Sequence, residues 1–362
     1  MFTFFFITTF FISCNEKVDL LIYNAKIYTV DSVFSIAEAI AVKNGKIVAV
    51  GTTKELTGRF DAKEKINAQG KFIYPGFIDA HAHFFGYGQS LQRADLIDTK
   101  GWDEVVQRVQ QFSQQKNIRN GQWITGRGWD QNDWEVKEFP NKQKLDELFP
   151  NNPVLLIRVD GHAAIANQKA LDIAGVHANF KLTGGEVEVK DGKLTGILID
   201  NAVGLVSSKM PPMDVKQTTA SLLEAQRNCF SVGLTTIDDC GINFNQALLI
   251  DSLQKRDELK MRIYAMLSDA KDNYDFLFSR GKIKTDHLNV RSFKVYADGA
   301  LGSRGACLLQ PYSDKPGWYG FLLSPASHFD SVANIISSKG FQMCTHAIGD
   351  SGNRVILETY GK

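Results

Sequence analysis

Two histidines separated by one residue, in Asp79-Ala80-His81-Ala82-His83, have the spacing for metal chemistry. The run leading into them, Tyr74-Pro75-Gly76-Phe77-Ile78, opens on Pro-Gly and lacks a helical period, so it reads as a buried β-strand. Alternate side chains of a strand share a face, which sends Asp79, His81 and His83 the same way. Neutral imidazoles so placed can grip one borderline divalent ion. The competing reading is a pair of surface histidines. The apolar strand and the position at its C-terminal tip weigh against it, because parallel α/β barrels build their sites at that tip.

Three further places carry candidate chemistry. Lys294 lies mid-strand between Phe293 and Val295 and shares a face with Tyr296 and Asp298. Burial disfavours the charged form of an amine. A neutral amine can take up carbon dioxide and become a carbamate, an anionic oxygen ligand; the alternative is a lysine paired with Asp298. His346 ends the apolar run Phe341-Gln342-Met343-Cys344-Thr345 and precedes Ala347-Ile348-Gly349-Asp350, again a strand tip, although a lone histidine is commonly structural. His162, in Arg158-Val159-Asp160-Gly161-His162, follows a strand and is read either as a substrate contact or as the entry to a helix over Ala163 to Leu171. His177, His287 and His328 read as incidental. Gly299 to Gly305 lacks the Lys-Ser/Thr ending of a phosphate-binding loop, so nucleotide binding is discounted, and Arg304 is left available to an anionic substrate group. His162, Asp298 and Arg304 are the candidate substrate contacts.

The elements that must position these residues follow an α/β pattern. From Asp214 onward helical and strand patterns alternate: a helix closed by Gly233, a strand at Leu234-Thr235-Thr236-Ile237, a helix around Ala247 to Leu253, a strand at Arg262 to Leu267, a helix at Tyr274 to Phe278 and a strand at Ser292 to Tyr296. A helical stripe of Phe329, Val332, Ala333, Ile335 and Ile336 then leads to the His346 strand. Such alternation favours a parallel sheet or barrel. Strands near residues 78, 236, 265, 295 and 343 make five, whereas a closed (β/α) barrel has eight. The expected fold is therefore an incomplete TIM-like barrel. Residues of about 100–213 break the rhythm with their own helix, strand and tryptophans, and read as a large insertion after the first barrel strand. Ahead of the barrel, residues 15–72 alternate in short runs around Asn44-Gly45, a hairpin signal, and read as a small antiparallel β-sandwich module. The barrel part spans 73–362.

With 362 residues, 44% of them hydrophobic, the chain can bury a large core, and its net charge of +1 without a basic tract argues against a nucleic-acid partner. The first 14 residues differ from the rest. Met1 to Ile12 is nearly all Phe, Ile and Thr, too short to span a membrane but suited to export, and Phe11-Ile12-Ser13-Cys14 resembles a bacterial lipobox without the usual basic n-region. The expectation is an exported protein anchored by lipid on Cys14. The other four cysteines match no metal spacing.

At these residues the chain resembles the amidohydrolase superfamily. Pro75-Gly76-Phe77-Ile78-Asp79-Ala80-His81-Ala82-His83 looks like its first barrel strand. Gly126-Arg127-Gly128-Trp129-Asp130-Gln131, Asp160-Gly161-His162-Ala163-Ala164-Ile165-Ala166-Asn167, Lys294 through Arg304 and Thr345-His346-Ala347-Ile348-Gly349-Asp350 are similar to its YtcJ-like branch, which includes N-substituted formamide deformylases. The resemblance implies a TIM-like barrel with a small β-sandwich and hydrolysis of a non-peptide carbon–nitrogen bond in a small amide or formamide. It further implies one or two divalent ions, zinc foremost, with His81 and His83 on one, His346 on the second and Lys294 as a bridging carbamate. The family's remaining histidine and its catalytic aspartate would fall beyond Lys362, so a fragment, inactive as it stands, is expected. The rival expectation is a surface-anchored protein that keeps the pocket and binds without turnover.

Overall fold

The computed structural model describes residues 15–178, 180–181, 185–301 and 304–362; the expected export signal and Cys14 lie outside the described residues. The chain divides into two compact units, Met1–Phe77 and Ile78–Lys362.

In the first unit the hairpin signal at Asn44-Gly45 is realised. Both residues take positive φ, 51° and 70°, as a tight primed turn requires, and the turn joins Ala39–Lys43 to Lys46–Gly51. These strands extend into a four-stranded sheet through Glu16–Tyr23 to Phe60–Asn67. A smaller sheet holds Ile36–Ala37, Lys26–Tyr28 and Phe72–Ile73. The module is not wholly antiparallel as expected. Glu16–Tyr23 pairs in parallel with Phe60–Asn67, because the helix Thr53–Arg59, capped by Thr52, carries the chain back across the sheet. Val18, Leu21, Ala39, Ala41, Leu56 and Phe60 form its main core.

The second unit is α/β and holds two six-stranded sheets. One runs, in spatial order, Gly185–Lys190, Lys193–Asp200, Ala163–Ala166, Val154–Arg158, Ile124–Trp129 and Ala94–Asp95. Here the helix expected after His162 is absent: Ala163–Ala166 is a fully internal strand paired antiparallel on both sides, and the helix begins only at Gln168. A four-residue apolar run carries no period of its own; Asn167, whose side chain accepts the Ala170 N–H, sets the boundary.

The other sheet carries the candidate residues. Phe77–Ala82 lies beside Leu234–Ile242, followed by Arg262–Ser268, Leu288–Tyr296 and Gln342–His346, with the short Ile283–Lys284 also on the fourth of these. The pairings from Leu234–Ile242 to Gln342–His346 are parallel. Helices Val215–Ser231 and Phe244–Lys255, each opened by a capping box, then Lys271–Arg280, Ala326–Ser338 and Asp350–Gly361 pack against it. Their apolar stripes meet the strands in one core containing Leu222, Ile250, Leu267, Phe293, Phe329 and Ile356. The Phe77–Ala82 strand departs from the buried strand expected: Phe77, Ile78, Ala80 and His81 are exposed, since among the described residues it has a sheet partner on one edge only. The second strand runs past the expected Ile237 to Ile242 and takes Asp238 and Asp239 into the sheet.

Candidate metal and substrate site

The strand tips bring several of the candidate residues together. The His81 and His83 rings lie edge-on with centroids 6.0 Å apart, and Asp79 Oδ1 accepts the His81 N–H at 3.1 Å. Partial desolvation, then the nearby charges of Lys294 and His81, hold the His83 imidazole below its usual pKa, which favours the neutral form that ligates metals. Lys294 is 3% exposed. Its Nζ sits 5.3 Å from the centre of the Tyr296 ring, and among the described residues it has no carboxylate at ion-pair distance. Parallel register sets Lys294 beside Cys344 and Tyr296 beside His346. The Tyr296 and His346 rings are 5.3 Å apart, and His346 Nε2 is buried with no hydrogen-bond partner.

Asp298 does not pair with Lys294. It is 1% exposed and its two oxygens accept the backbone N–H groups of Ile348 (2.9 Å), Gly349 (2.8 Å) and Cys307 (2.8 Å), with His346 Nε2 3.9 Å away. A carboxylate engaged in this way holds the loops at Cys307 and Ile348-Gly349 in place. Arg304 is half-buried and forks onto Asp314, through Nε at 3.1 Å and Nη2 at 2.7 Å, so its guanidinium is already engaged. His162 stands on the other sheet, where Asp200 Oδ1 lies 3.0 Å from its Nδ1. His328, read as incidental, has a partner too: its Nε2 is 2.7 Å from Asp269 Oδ2, while Tyr274 donates to the other oxygen of that carboxylate.

Asp239 is a site residue that pattern reading missed. Its carboxylate accepts the Phe85 N–H at 2.9 Å, just after His83, and burial pushes its pKa up to about 6. Beside it, Asp238 is raised by desolvation and by Asp79 across the strand gap, and burial pushes the Cys240 and Cys344 thiols up on either side of Lys294. The available signal was the polar Asp238-Asp239-Cys240 at the tip of an apolar run. A cleft of about 430 Å³ opens beside the first strand, lined by Asp79, His83, Tyr87, Asn228, Cys229 and Leu234 among others. A larger groove of about 690 Å³ runs along the Asp350–Gly361 helix and touches none of the candidate ligands.

Among the described residues no three His, Cys, Asp or Glu side chains converge as a metal-binding group. The donors nevertheless fit a metal centre in kind. Two imidazoles sit on one tip, a buried imidazole nitrogen lacks a partner, and a buried amine without a carboxylate stands between them. The sheet and its strand-tip donors together define an α/β protein with a candidate metal site at the strand ends. Residues 64–362 match the model of the amidohydrolase family, and the chain belongs to that family. It is 34% identical to an N-substituted formamide deformylase of Arthrobacter pascens, 32% to the Arabidopsis thaliana protein LONG AFTER FAR-RED 3 and 29% to the putative amidohydrolase YtcJ of Bacillus subtilis. These alignments cover 93–94% of this chain but only 65%, 61% and 64% of the relatives, so the chain spans less than two thirds of their length. Among solved structures, an uncharacterized metal-dependent hydrolase from Pyrococcus horikoshii OT3 superposes with a TM-score of 0.73 at 25% identity, over 94% of this chain and 68% of that one.

Proposed function

We propose that the chain is the metal-binding part of a hydrolase that cleaves a non-peptide carbon–nitrogen bond in a small amide or formamide, within an eight-stranded barrel carrying an inserted sheet. The observation that carries this reading is the buried, unpartnered Nε2 of His346 beside the buried, carboxylate-free Lys294. In water-free surroundings such groups are costly unless something else engages them.

His81 and His83 would hold one divalent ion and His346 a second, with Lys294 between them; imidazole and carbamate donors suit zinc. When bound, such an ion supplies a polarised carbonyl and an acidified water. Lys294 contributes by bonding its nitrogen to the carbon of carbon dioxide and releasing a proton, which turns an amine into an anionic oxygen donor. Tyr296 walls the amine on one side, and Asp298 fixes the loops at Cys307 and Ile348-Gly349 around His346. The cleft beside Asp79 and His83, with Tyr87 and Leu234 in its wall, offers a partly apolar place for the acyl or amine substituent. We further propose export and anchoring through a lipid on Cys14, tested by incorporation of labelled fatty acid that Cys14→Ser abolishes.

The test of the chemistry is carbon-13 bicarbonate. Incubated with zinc, the chain is expected to show a carbamate carbon resonance that disappears in Lys294→Ala and weakens in His83→Ala. A chain that forms no carbamate with zinc and bicarbonate present would contradict the reading.

A further inference from the structure

The cleft of about 430 Å³ beside the Phe77–Ala82 strand lies against two helices that brace each other. Gly88 of Phe84–Ser90 passes so near Val215–Ser231 that a Cβ there would stand 3.1 Å from the Ser221 carbonyl oxygen. Further along the same helix, Gln92 Nε2 donates to Glu224 Oε2 at 3.0 Å, and Asn228 Nδ2 donates to the Tyr87 hydroxyl at 3.0 Å. A space framed in this way is formed before a ligand arrives.

Its walls are mostly apolar, with Ala82, Phe84, Val232, Leu234 and Ile237 among them, and no lysine or arginine lines it. Asp79 supplies the one carboxylate. Its Oδ1 accepts the His81 N–H at 3.1 Å, while its Oδ2 has no hydrogen-bond or ion-pair partner among the described residues. Two neighbours register this charge: burial first, and then Asp79, raises the pKa of both Cys229 and Asp238. A half-buried carboxylate without a cation favours any positive donor that can reach it.

We propose that this cleft binds a small cationic amine with an apolar body, its N–H groups donating to Asp79 Oδ2 and its hydrocarbon lying along Phe84, Val232 and Leu234. The proposal deepens the hydrolase reading and rests on it only for the source of the amine. Adding water to R–NH–CO–R′ breaks the carbon–nitrogen bond and gives R–NH₃⁺ and R′–COO⁻. Asp79 attracts the first product and repels the second. The cleft therefore takes the amine side of the amide and rejects the acyl side.

Isothermal titration of the purified full chain at neutral pH tests this with cyclohexylmethylamine, a cation, against cyclohexylmethanol, its neutral counterpart of the same shape. The cation is expected to bind about ten-fold more tightly, the worth of one charge-assisted hydrogen bond. Cyclohexanecarboxylate, with the wrong charge, and methylamine, without the apolar body, should not bind measurably. In a chain carrying ¹³C-methyl leucine, the Leu234 resonance, identified by its loss in Leu234→Met, should move as the cation binds. Asp79→Asn keeps the shape and an acceptor for the His81 N–H, and should bring the cation down to the alcohol's affinity while the alcohol's is unchanged. Equal affinities of cation and alcohol in the wild type, binding of the carboxylate or of methylamine as tight as the cation's, an unmoved Leu234 signal, or a cation preference that survives in Asp79→Asn would overturn the proposal. The wild-type comparison and the Leu234 signal decide it even where Asp79→Asn fails to fold. No readout needs added metal or turnover. Cation binding in a chain that retains no zinc would sink the hydrolase reading alone, and zinc retention without cation preference would sink this proposal alone.

Discussion

At Asp239 the carboxyl group is 1% exposed, and burial raises its pKa to about 6 against an unfolded value near 3.8. The folded state therefore holds a proton that the unfolded state has released between those values. Its contribution to stability is fully present below about pH 4 and is lost as the pH climbs through about 6. Asp239→Asn keeps an acceptor for the Phe85 N–H and removes the ionisation. Its melting temperature at pH 8 should exceed the wild type's, by up to about 3 kcal/mol of stability, and the gain should shrink toward pH 4. An equal gain at both pH values would show that charge is not the cause. Asp298→Ala strips the acceptor from three backbone donors and should cost on the order of 3–5 kcal/mol in urea unfolding. Residues of this kind differ in how far sequence reveals them. The two-residue spacing of His81 and His83 and a lysine among apolar neighbours at 294 are patterns in themselves. Asp239 is not, because its partner lies 154 residues away, and Asp298 looks like a lysine's partner until the folded loops claim its oxygens.

The helix Asp350–Gly361 starts where Gly349 passes against the Cys307 backbone, and a Cβ at 349 would stand 1.9 Å from the Cys307 carbonyl oxygen. The two chain segments meet there because Asp298 Oδ2 accepts the N–H groups of both Gly349 and Cys307. Gly349→Ala should therefore lower stability by more than about 2 kcal/mol, through backbone displacement. Hydrogen exchange should accelerate first at Ser351 and Gly352, whose N–H groups donate to the Cys307 carbonyl. A variant with wild-type protection there would remove this helix entry from the supports of the His346 tip. At this scale the alternating pattern beyond Asp214 was legible, since helical stripes such as Phe329-Val332-Ile336 are dictated by the core they face. The Ala163–Ala166 strand was not, because an alanine-rich run of four suits a helix equally well until two neighbouring strands pair with it.

Over the whole molecule, the site-bearing sheet has two edges with a single strand partner each among the described residues, at Phe77–Ala82 and at Gln342–His346. Ile78 is 67% exposed along the first. Unpaired strand edges with apolar side chains invite pairing with other copies, and a net charge of +1 offers little repulsion. Light scattering should show concentration-dependent association near neutral pH that Ile78→Lys reduces, and a monodisperse wild type at high concentration would count against this view of the edges. The α/β class was legible from alternation; the parallel return in the first unit was not, since it is set by pairing between distant segments, Glu16–Tyr23 with Phe60–Asn67. The proposed metal centre rests on His81, His83, Lys294 and His346 together holding divalent ions. The direct test is elemental analysis of the purified full chain after exposure to zinc and removal of loosely held metal. About one to two bound equivalents are expected, falling to none in the His81→Ala, His83→Ala double variant and reduced in His346→Ala. A chain that retains no metal, or whose bound metal is unchanged by those substitutions, would contradict it.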